Sequence, residues 1–185
     1  MRQLIVSTWM TIDGVFDATN MHQWFNPYDS AERQDYIRSG ILDADAIVFG
    51  RKTYEMLAPY WSSLTNNEMG VAGKLNSVQK YVVSKNMETA SWNNTVIIKD
   101  DVVETIRQLK QQPGKEMQIE GSALLVRSLS GAGVIDEYRF LVHPVVMGSG
   151  KRFFDEGMST GNMELVRTTA FSKGVLLVCY RPLSV

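Results

Sequence analysis

Short apolar runs alternate with amphipathic stretches along most of the chain. The runs are rich in β-branched residues and end at Gly, Ser or Asn, which is typical of buried strands. Between them, apolar residues recur at helical spacing, most clearly in the face formed by Val102, Val103, Ile106 and Leu109. We predict strands over residues 4–10, 46–49, 80–84, 95–98 and 117–119, and helices over 30–42, from 53 to Pro59, from 102 to Pro113, and over 123–130.

The pattern changes after Asp136, where strands follow one another without helices between them. We predict strands over residues 137–143, 163–171 and 174–181, with a hairpin turn at Ser172-Lys173-Gly174. Alternating strands and helices followed by an antiparallel hairpin indicate a mixed, mostly parallel sheet covered by helices. No repeat or linker divides the chain, so we predict one α/β domain over residues 1–185.

Two helices are preceded by acidic pairs at the spacing of a capping box. Asp29 stands just before the helix over 30–42 with Glu32 three residues on, and Asp101 and Glu104 stand in the same way at the start of the helix after 101. We therefore expect Asp29 and Asp101 to act as helix caps.

Composition removes several classes of function. Of the 185 residues, 44% are hydrophobic and 21% charged, and the net charge of −1 provides no field for nucleic acid or an anionic membrane. No stretch is apolar enough to span a bilayer, and the N-terminus does not resemble a secretory signal. The single cysteine, Cys179, cannot form an intramolecular disulfide. We expect a cytoplasmic protein.

The residue counts also limit the chemistry. Two histidines and one cysteine cannot form a closed zinc site, and we expect no metal. The sequence contains neither Gly-x-Ser-x-Gly nor a P-loop motif. If the protein is an enzyme, a cofactor supplies its difficult chemistry.

Three strand ends carry residues suited to phosphate. Gly50-Arg51-Lys52-Thr53 joins a strand to a helix start, where free backbone N–H groups attract anions. Glu120-Gly121-Ser122-Ala123 repeats this arrangement, with Ser122 as a candidate cap, and Ser84-Lys85 ends a third strand. Each segment alone is also compatible with an ordinary turn. Because the carboxyl ends of parallel strands share one sheet edge, the three together favour a dinucleotide. A cation at Lys85, where NAD-binding proteins place an acid, favours NADP.

These motifs resemble the dihydrofolate reductase superfamily, and within it the C-terminal reductase domain of the bacterial riboflavin-biosynthesis deaminase–reductase. The resemblance covers nearly the whole chain and rests on Thr11-Ile12-Asp13-Gly14, Gly50-Arg51-Lys52-Thr53-Tyr54-Glu55, Tyr81-Val82-Val83-Ser84-Lys85, Glu120-Gly121-Ser122-Ala123-Leu124 and Pro144-Val145-Val146-Met147-Gly148-Ser149-Gly150. It implies a dihydrofolate-reductase-like, three-layer α/β/α fold and NADPH as the hydride donor. The implied cofactor contacts are Gly50, Arg51, Lys52, Thr53, Ser84, Lys85, Glu120, Gly121, Ser122, Ala123 and Leu124. Ser122 departs from the family, which usually has a second glycine there.

The substrate residues are less well defined. Asp29 is the candidate catalytic carboxylate, at the place where dihydrofolate reductases serve the pteridine ring, although a helix cap is the simpler interpretation. Asp13 is a candidate for binding the substrate or for stabilising its own turn. Trp24 is a candidate for stacking on a flat ring or for a hydrophobic lid. Lys151 is a candidate for binding a substrate phosphate or lies in a solvated basic turn.

The resemblance implies an NADPH-dependent reductase of a flat nitrogen heterocycle, similar to 5-amino-6-(5-phosphoribosylamino)uracil reductase. Dihydrofolate reduction and a non-catalytic NADP(H)-binding protein are the alternatives. The expected partner is a small heterocyclic substrate. A homodimer is also possible, given the apolar hairpin strand over 174–181.

Overall fold

The computed structural model describes residues 1–154, 158 and 161–183. Eight strands in this part of the chain form one sheet. They are β1 (Gln3–Thr11), β2 (Ala44–Gly50), β3 (Gln79–Val83), β4 (Thr95–Ile98), β5 (Glu116–Glu120), β6 (Glu137–His143), β7 (Met163–Ala170) and β8 (Leu176–Pro182). Their order is β4-β3-β2-β5-β1-β6-β8-β7. The pairs from β4 to β6 are parallel, whereas β8 runs antiparallel to both β6 and β7.

Helices cover both faces of this sheet. They are α1 (Met21–Trp24), α2 (Ala31–Asp43), α3 (Arg51–Trp61), α4 (Ala72–Ser77), α5 (Val102–Gln111) and α6 (Ala123–Ser130). Residues of α5 and α6 pack on one face in a core with Val6, Val48 and Ile119. Residues of α2, α3 and α4 cover the other face around Ile47 and Phe49. The predicted α/β/α layers and the antiparallel C-terminal hairpin are confirmed.

The main differences from the predicted elements lie between residues 53 and 78. Pro59 was expected to end its helix, but α3 continues to Trp61. Pro59 stands in the last turn, where its missing N–H removes one hydrogen bond while Ser62 still bonds to the carbonyl of Ala58 at 3.0 Å. The short helix α4, which the sequence pattern did not predict, buries Ala72 and Leu75.

The predicted capping boxes are wrong. Ser30, not Asp29, caps α2, because its hydroxyl oxygen accepts a hydrogen bond from the Arg33 backbone N–H at 3.3 Å. Asp101 takes a left-handed backbone conformation with a φ of 48°, and its side chain makes no capping bond to α5. Glu104 instead accepts a hydrogen bond from Gln108 along the helix surface.

Among the described residues, no helix is long and apolar enough to cross a membrane.

Candidate functional site

The three predicted phosphate turns meet around one cleft at the carboxyl end of the sheet. This cleft, called here the cofactor cleft, has a volume of about 320 Å³. Nine of the eleven residues predicted to contact a cofactor line it, namely Gly50, Arg51, Lys52, Thr53, Ser84, Lys85, Ser122, Ala123 and Leu124. Asn86, Ser128 and Lys151 complete its polar lining. Glu120 and Gly121 are the two predicted residues that do not line it.

The parallel order of β3, β2 and β5 brings these turns together, because neighbouring strands end at the same edge. The Gly50 backbone N–H donates to the Ser122 hydroxyl at 2.9 Å, and the same hydroxyl lies 2.9 Å from that of Thr53. A Cβ at Gly50 would stand 3.3 Å from the Ser122 oxygen, which explains why glycine ends β2. Hydrogen bonds of the Ser122 hydroxyl thus link the β2–α3 turn to the β5–α6 turn.

Ser122, whose hydroxyl joins the two turns, has a backbone conformation that usually requires glycine. Its φ is 57°, and Gly121 before it has a φ of 56°. The predicted cap is wrong, because the Ser122 side chain makes no capping bond to α6. The N-terminus of α3 also lacks a side-chain cap, since Gly50 precedes it. The first-turn N–H groups of both helices therefore stay available to an anion at the cleft.

Positive charge is concentrated in the cofactor cleft. Arg51 pairs with Glu55 at 3.0 Å on the exposed face of α3, and the Lys151 ammonium lies 4.8 Å from the centre of the Phe16 ring. Within the described residues, Lys52 and Lys85 form no ion pair. Beside Lys85, the Ser84 hydroxyl accepts a hydrogen bond from the Met87 backbone N–H at 3.1 Å. This combination of free cations and free helix N–H groups suits a ligand with several phosphates.

A second cavity, called here the aromatic cavity, lies between the sheet and helices α2 and α3. Its volume is about 160 Å³. Its aromatic walls come from Trp9, Tyr36, Phe49, Trp61 and Trp92. Such walls favour a flat, apolar or weakly polar ring.

Few polar groups reach the aromatic cavity, and they come from neighbouring central strands. Glu120 stands opposite Ser7 in the register of β5 and β1, and Gln118 precedes it on the same face. Burial raises the pKa of Glu120 to about 7. Arg139 also lines the cavity, but it is bound to Glu116 at 2.8 and 2.9 Å and to Glu137 at 2.7 Å. Its charge is therefore already neutralised.

Residues that are neighbours in sequence line the two cavities at the ends of β2 and β5. Phe49 lines the aromatic cavity and the next residue, Gly50, lines the cofactor cleft. Glu120 and Ser122 are divided in the same way on either side of Gly121. The same two strand ends therefore contribute to both cavities.

Asp13 and Lys151 lie away from the aromatic cavity. The Asp13 carboxylate accepts hydrogen bonds from the Thr11 hydroxyl at 2.6 Å and from the Gly148 N–H at 2.9 Å, and it pairs with Arg152. These bonds, that from Thr11 first, lower the pKa of Asp13 to about 2. Asp13 therefore joins the turn after β1 to the loop at residues 144–152. Lys151 lines the cofactor cleft rather than the cavity expected to receive the substrate.

Trp24 and Asp29 line neither cavity. Trp24 is 1% exposed, donates its indole N–H to the Asp17 carbonyl at 3.1 Å, and packs edge-on against His143. Asp29 is half-exposed and accepts hydrogen bonds from Arg33 at 2.9 Å and from Gln34 at 2.7 Å. The Gln34 amide and then Arg33 lower its pKa. Both residues help to hold the segment before α2 in place.

Sequence reasoning missed Ser7 and Gln118 and assigned Glu120 to the cofactor alone. The signal was present in β5, where polar Glu116, Gln118 and Glu120 alternate with apolar Met117 and Ile119. Such alternation on a central strand with helices on both faces is unusual, because both faces are normally apolar. It indicates a polar network or a cavity under one layer of helices.

The sheet topology, the fastened phosphate turns and the aromatic cavity define a dihydrofolate-reductase-like α/β protein. Dihydrofolate reductase from Enterococcus faecalis, solved in complex with NADP(H), matches with a TM-score of 0.66 at 15% identity, over 98% of this chain and 97% of that one. A crystal structure of a riboflavin biosynthesis protein from Shewanella sp. PV-4 matches with a TM-score of 0.76 at 18% identity, over 98% and 99%. At these identities the likeness establishes the fold.

The family is established by sequence. The model of the RibD C-terminal domain matches residues 2–177, and the chain belongs to this family of riboflavin-type reductase domains. The uncharacterised protein YyaP of Bacillus subtilis is 29% identical over 185 residues, covering 97% of this chain and 94% of YyaP. The family suspected from the sequence motifs is confirmed.

Proposed function

We propose that this protein is an NADPH-dependent reductase that transfers a hydride to a planar nitrogen heterocycle, in the manner of the 5-amino-6-(5-phosphoribosylamino)uracil reductases. One observation carries the proposal: the ends of β2 and β5 contribute both to a cationic cleft suited to phosphates and to an aromatic cavity suited to a ring. Membership of the RibD C-terminal domain family supports the same reaction class.

The residues of the cofactor cleft fit NADPH. The open N-termini of α3 and α6 would hold the pyrophosphate, as helix N-termini commonly do. Lys85, at the end of β3 and without an ion pair among the described residues, would hold the additional phosphate that distinguishes NADPH from NADH. When bound, NADPH supplies the hydride.

The aromatic cavity supplies position and a proton. Its walls stack on the ring and exclude water, so that the reacting carbon is held against the cofactor side of the site. Reduction of a C=N or C=O bond places the hydride on carbon and requires a proton on the nitrogen or oxygen. Glu120 carries such a proton near neutral pH, because burial raises its pKa to about 7. We assign Glu120 as the proton donor.

Dihydrofolate reduction has less support. The carboxylate predicted to serve the pteridine ring, Asp29, lies outside the lining of the aromatic cavity and pairs with Arg33.

A titration of NADPH fluorescence tests the cofactor, and NADPH oxidation with a panel of aminouracils and pterins tests the reaction. We expect Lys52→Met to weaken NADPH binding by about 10-fold, the value of one charge-assisted hydrogen bond. Lys99→Met is the matched control, because Lys99 lies on the surface and pairs with Glu88. Tight binding of NADPH with no oxidation of it by any compound would indicate a non-catalytic NADP(H)-binding protein.

We further propose a homodimer in the cytoplasm. The hairpin strand expected to form the interface, β8, is paired on both sides, but β7 beyond it forms the edge of the sheet and is exposed along its length. Leu165 and Val166 are 53% and 43% exposed there, and an exposed apolar edge strand favours pairing with a second copy. Sedimentation of wild type and of Leu165→Lys tests the dimer, and a monomeric wild type would contradict it. The single, buried cysteine fits a reducing compartment.

A further inference from the structure

The Gln118 amide lies in the aromatic cavity with unused hydrogen-bonding capacity. Gln118 is only 5% exposed, and its side-chain oxygen has no hydrogen-bond partner among the residues that the structure describes. The side chain passes beneath Gly40, whose absent Cβ would stand 3.8 Å from the amide nitrogen. At that distance a Cβ would make ordinary van der Waals contact with the amide, so Gly40 and Gln118 line the same part of the cavity.

The described lining of the aromatic cavity also lacks a free positive charge. Arg139 is the one cation among its described lining residues, and Glu116 and Glu137 both bind it. The unpaired lysines Lys52 and Lys85 line the cofactor cleft instead, together with Lys151.

We propose that the aromatic cavity selects a planar heterocycle that carries no phosphate and that presents an N–H group to the side-chain oxygen of Gln118. The inference rests on the proposed function, since it names the substrate class of the same site. It separates this chain from reductases whose substrate carries a phosphoribosyl group.

The physical reason is the cost of desolvation. A phosphate brought against Trp9, Tyr36 and Trp61 loses water and gains no unpaired cation in return. A buried amide oxygen without a partner carries a similar but smaller cost, which a ring N–H removes. The cavity therefore gains by binding a neutral ring with a donor edge.

The direct test compares an aminouracil riboside with its 5-phosphate on the wild-type protein. Binding is followed by quenching of tryptophan fluorescence, because three tryptophans line the cavity. Titrations are made with the free protein and with protein saturated with NADP⁺, alongside a panel of unphosphorylated pterins and lumazines. With NADP⁺ in the cofactor cleft, we expect the riboside to bind at least 10-fold more tightly than its phosphate. Tighter binding of the phosphate to the NADP⁺-saturated protein, or no binding of any unphosphorylated ring in either state, would overturn the inference.

A substitution at Gln118 tests the second part. Gln118→Met keeps the length of the side chain and removes the amide, and we expect the Kd of the riboside to rise about 10-fold with the affinity for NADPH unchanged. Gln108→Met on the exposed face of α5 is the control. An unchanged riboside Kd in folded Gln118→Met would overturn the assignment of Gln118, and the wild-type comparison stands even if that variant does not fold.

The two proposals fail in different ways. Failure to bind or oxidise NADPH contradicts the proposed function, whereas ring binding to the free protein is unaffected by that result. Preference for the phosphorylated ring contradicts the inference while the reductase activity stands.

Discussion

Glu120→Gln is the substitution that most directly tests the chemistry. Glu120 is the one carboxyl group among the described lining residues of the aromatic cavity, and it forms no ion pair there. It lies beside the turn at Gly121, after which Ser122 lines the cofactor cleft. Glutamine has nearly the same size but cannot donate an acidic proton. The substitution therefore removes the proton while it leaves the shape of the cavity in place.

The expected magnitude follows from the pKa of about 7, which burial produces. The protonated fraction of Glu120 falls from about 90% one pH unit below this value to about 10% one unit above it. If the protonated form is the active one, kcat is constant at low pH and falls about 10-fold per pH unit at high pH. Removing a general acid typically lowers the rate by about 10²–10⁴. The same substitution should also remove the fall of kcat with pH, because glutamine does not titrate.

The assay is NADPH oxidation at saturating substrate, measured across the pH range from about 5 to 9. Glu104→Gln, on the exposed surface of α5, is the control for a change of charge. Because Glu120 does not line the cofactor cleft, the KM for NADPH should be unchanged. A Glu120→Gln enzyme that keeps both the wild-type kcat and the wild-type pH profile would refute the assignment of Glu120 as the proton donor.

The same substitution has a consequence for stability that does not depend on the substrate. The folded-state pKa of Glu120, about 7, lies above the usual 4.5, so its contribution to stability is full below pH 4.5 and is lost as the pH rises through 7. The free energy of unfolding of Glu120→Gln, minus that of wild type, should therefore be larger at pH 8 to 9 than at pH 4. Urea unfolding at the two pH values measures this difference.

Three further substitutions test the rest of the site. Lys85→Met should raise the KM for NADPH by about 10- to 100-fold and leave that for NADH unchanged, since a charge-assisted bond to a phosphate is worth about 1.5–3 kcal/mol; equal effects on both would contradict the assignment. Asp13→Asn should lower the free energy of unfolding by about 1–3 kcal/mol at pH 7 and by less near pH 2. The reason is that the stabilisation by ionised Asp13 is lost as the pH falls from 3.8 towards its pKa of about 2. Urea titrations at the two pH values measure both effects. Ser122→Ala should destabilise by about 1–3 kcal/mol, since the Gly50 N–H loses its acceptor while the left-handed backbone remains, and Ser122→Gly should cost less by urea unfolding.

The strands and the phosphate turns could be predicted because their signals are local. The apolar runs around Val48 and Ile119 end in glycine, and parallel strands have only one edge at which such turns can meet. The fold and the cofactor cleft follow from these two facts. The antiparallel hairpin was equally local, since Ser172-Lys173-Gly174 contains its own turn residues.

The caps and the substrate cavity depend on contacts that sequence spacing does not contain. The position of Ser122 before α6 is typical of a helix cap, but its hydroxyl forms hydrogen bonds with Gly50 and Thr53 on the β2–α3 turn instead. The adjacent Ser30 caps α2, and the Asp29 carboxylate accepts a hydrogen bond from Arg33 instead. The partners of Ser122 are about 70 residues away and become visible only when the elements are packed, whereas Ser30 and Arg33 are local and could have been weighed against Asp29 from the sequence.

The distribution of charge separates the two cavities more clearly than their shapes do. Unpaired lysines line the cleft that suits phosphates, while the single arginine of the aromatic cavity is neutralised by two carboxylates. Affinity for the cofactor and selection of the substrate are therefore set by different residues on either side of Gly121. Substitutions at Lys85 and Glu120 should then combine additively in the free energies derived from kcat/KM, because they line different cavities. Strong non-additivity would mean that the two cavities act as one.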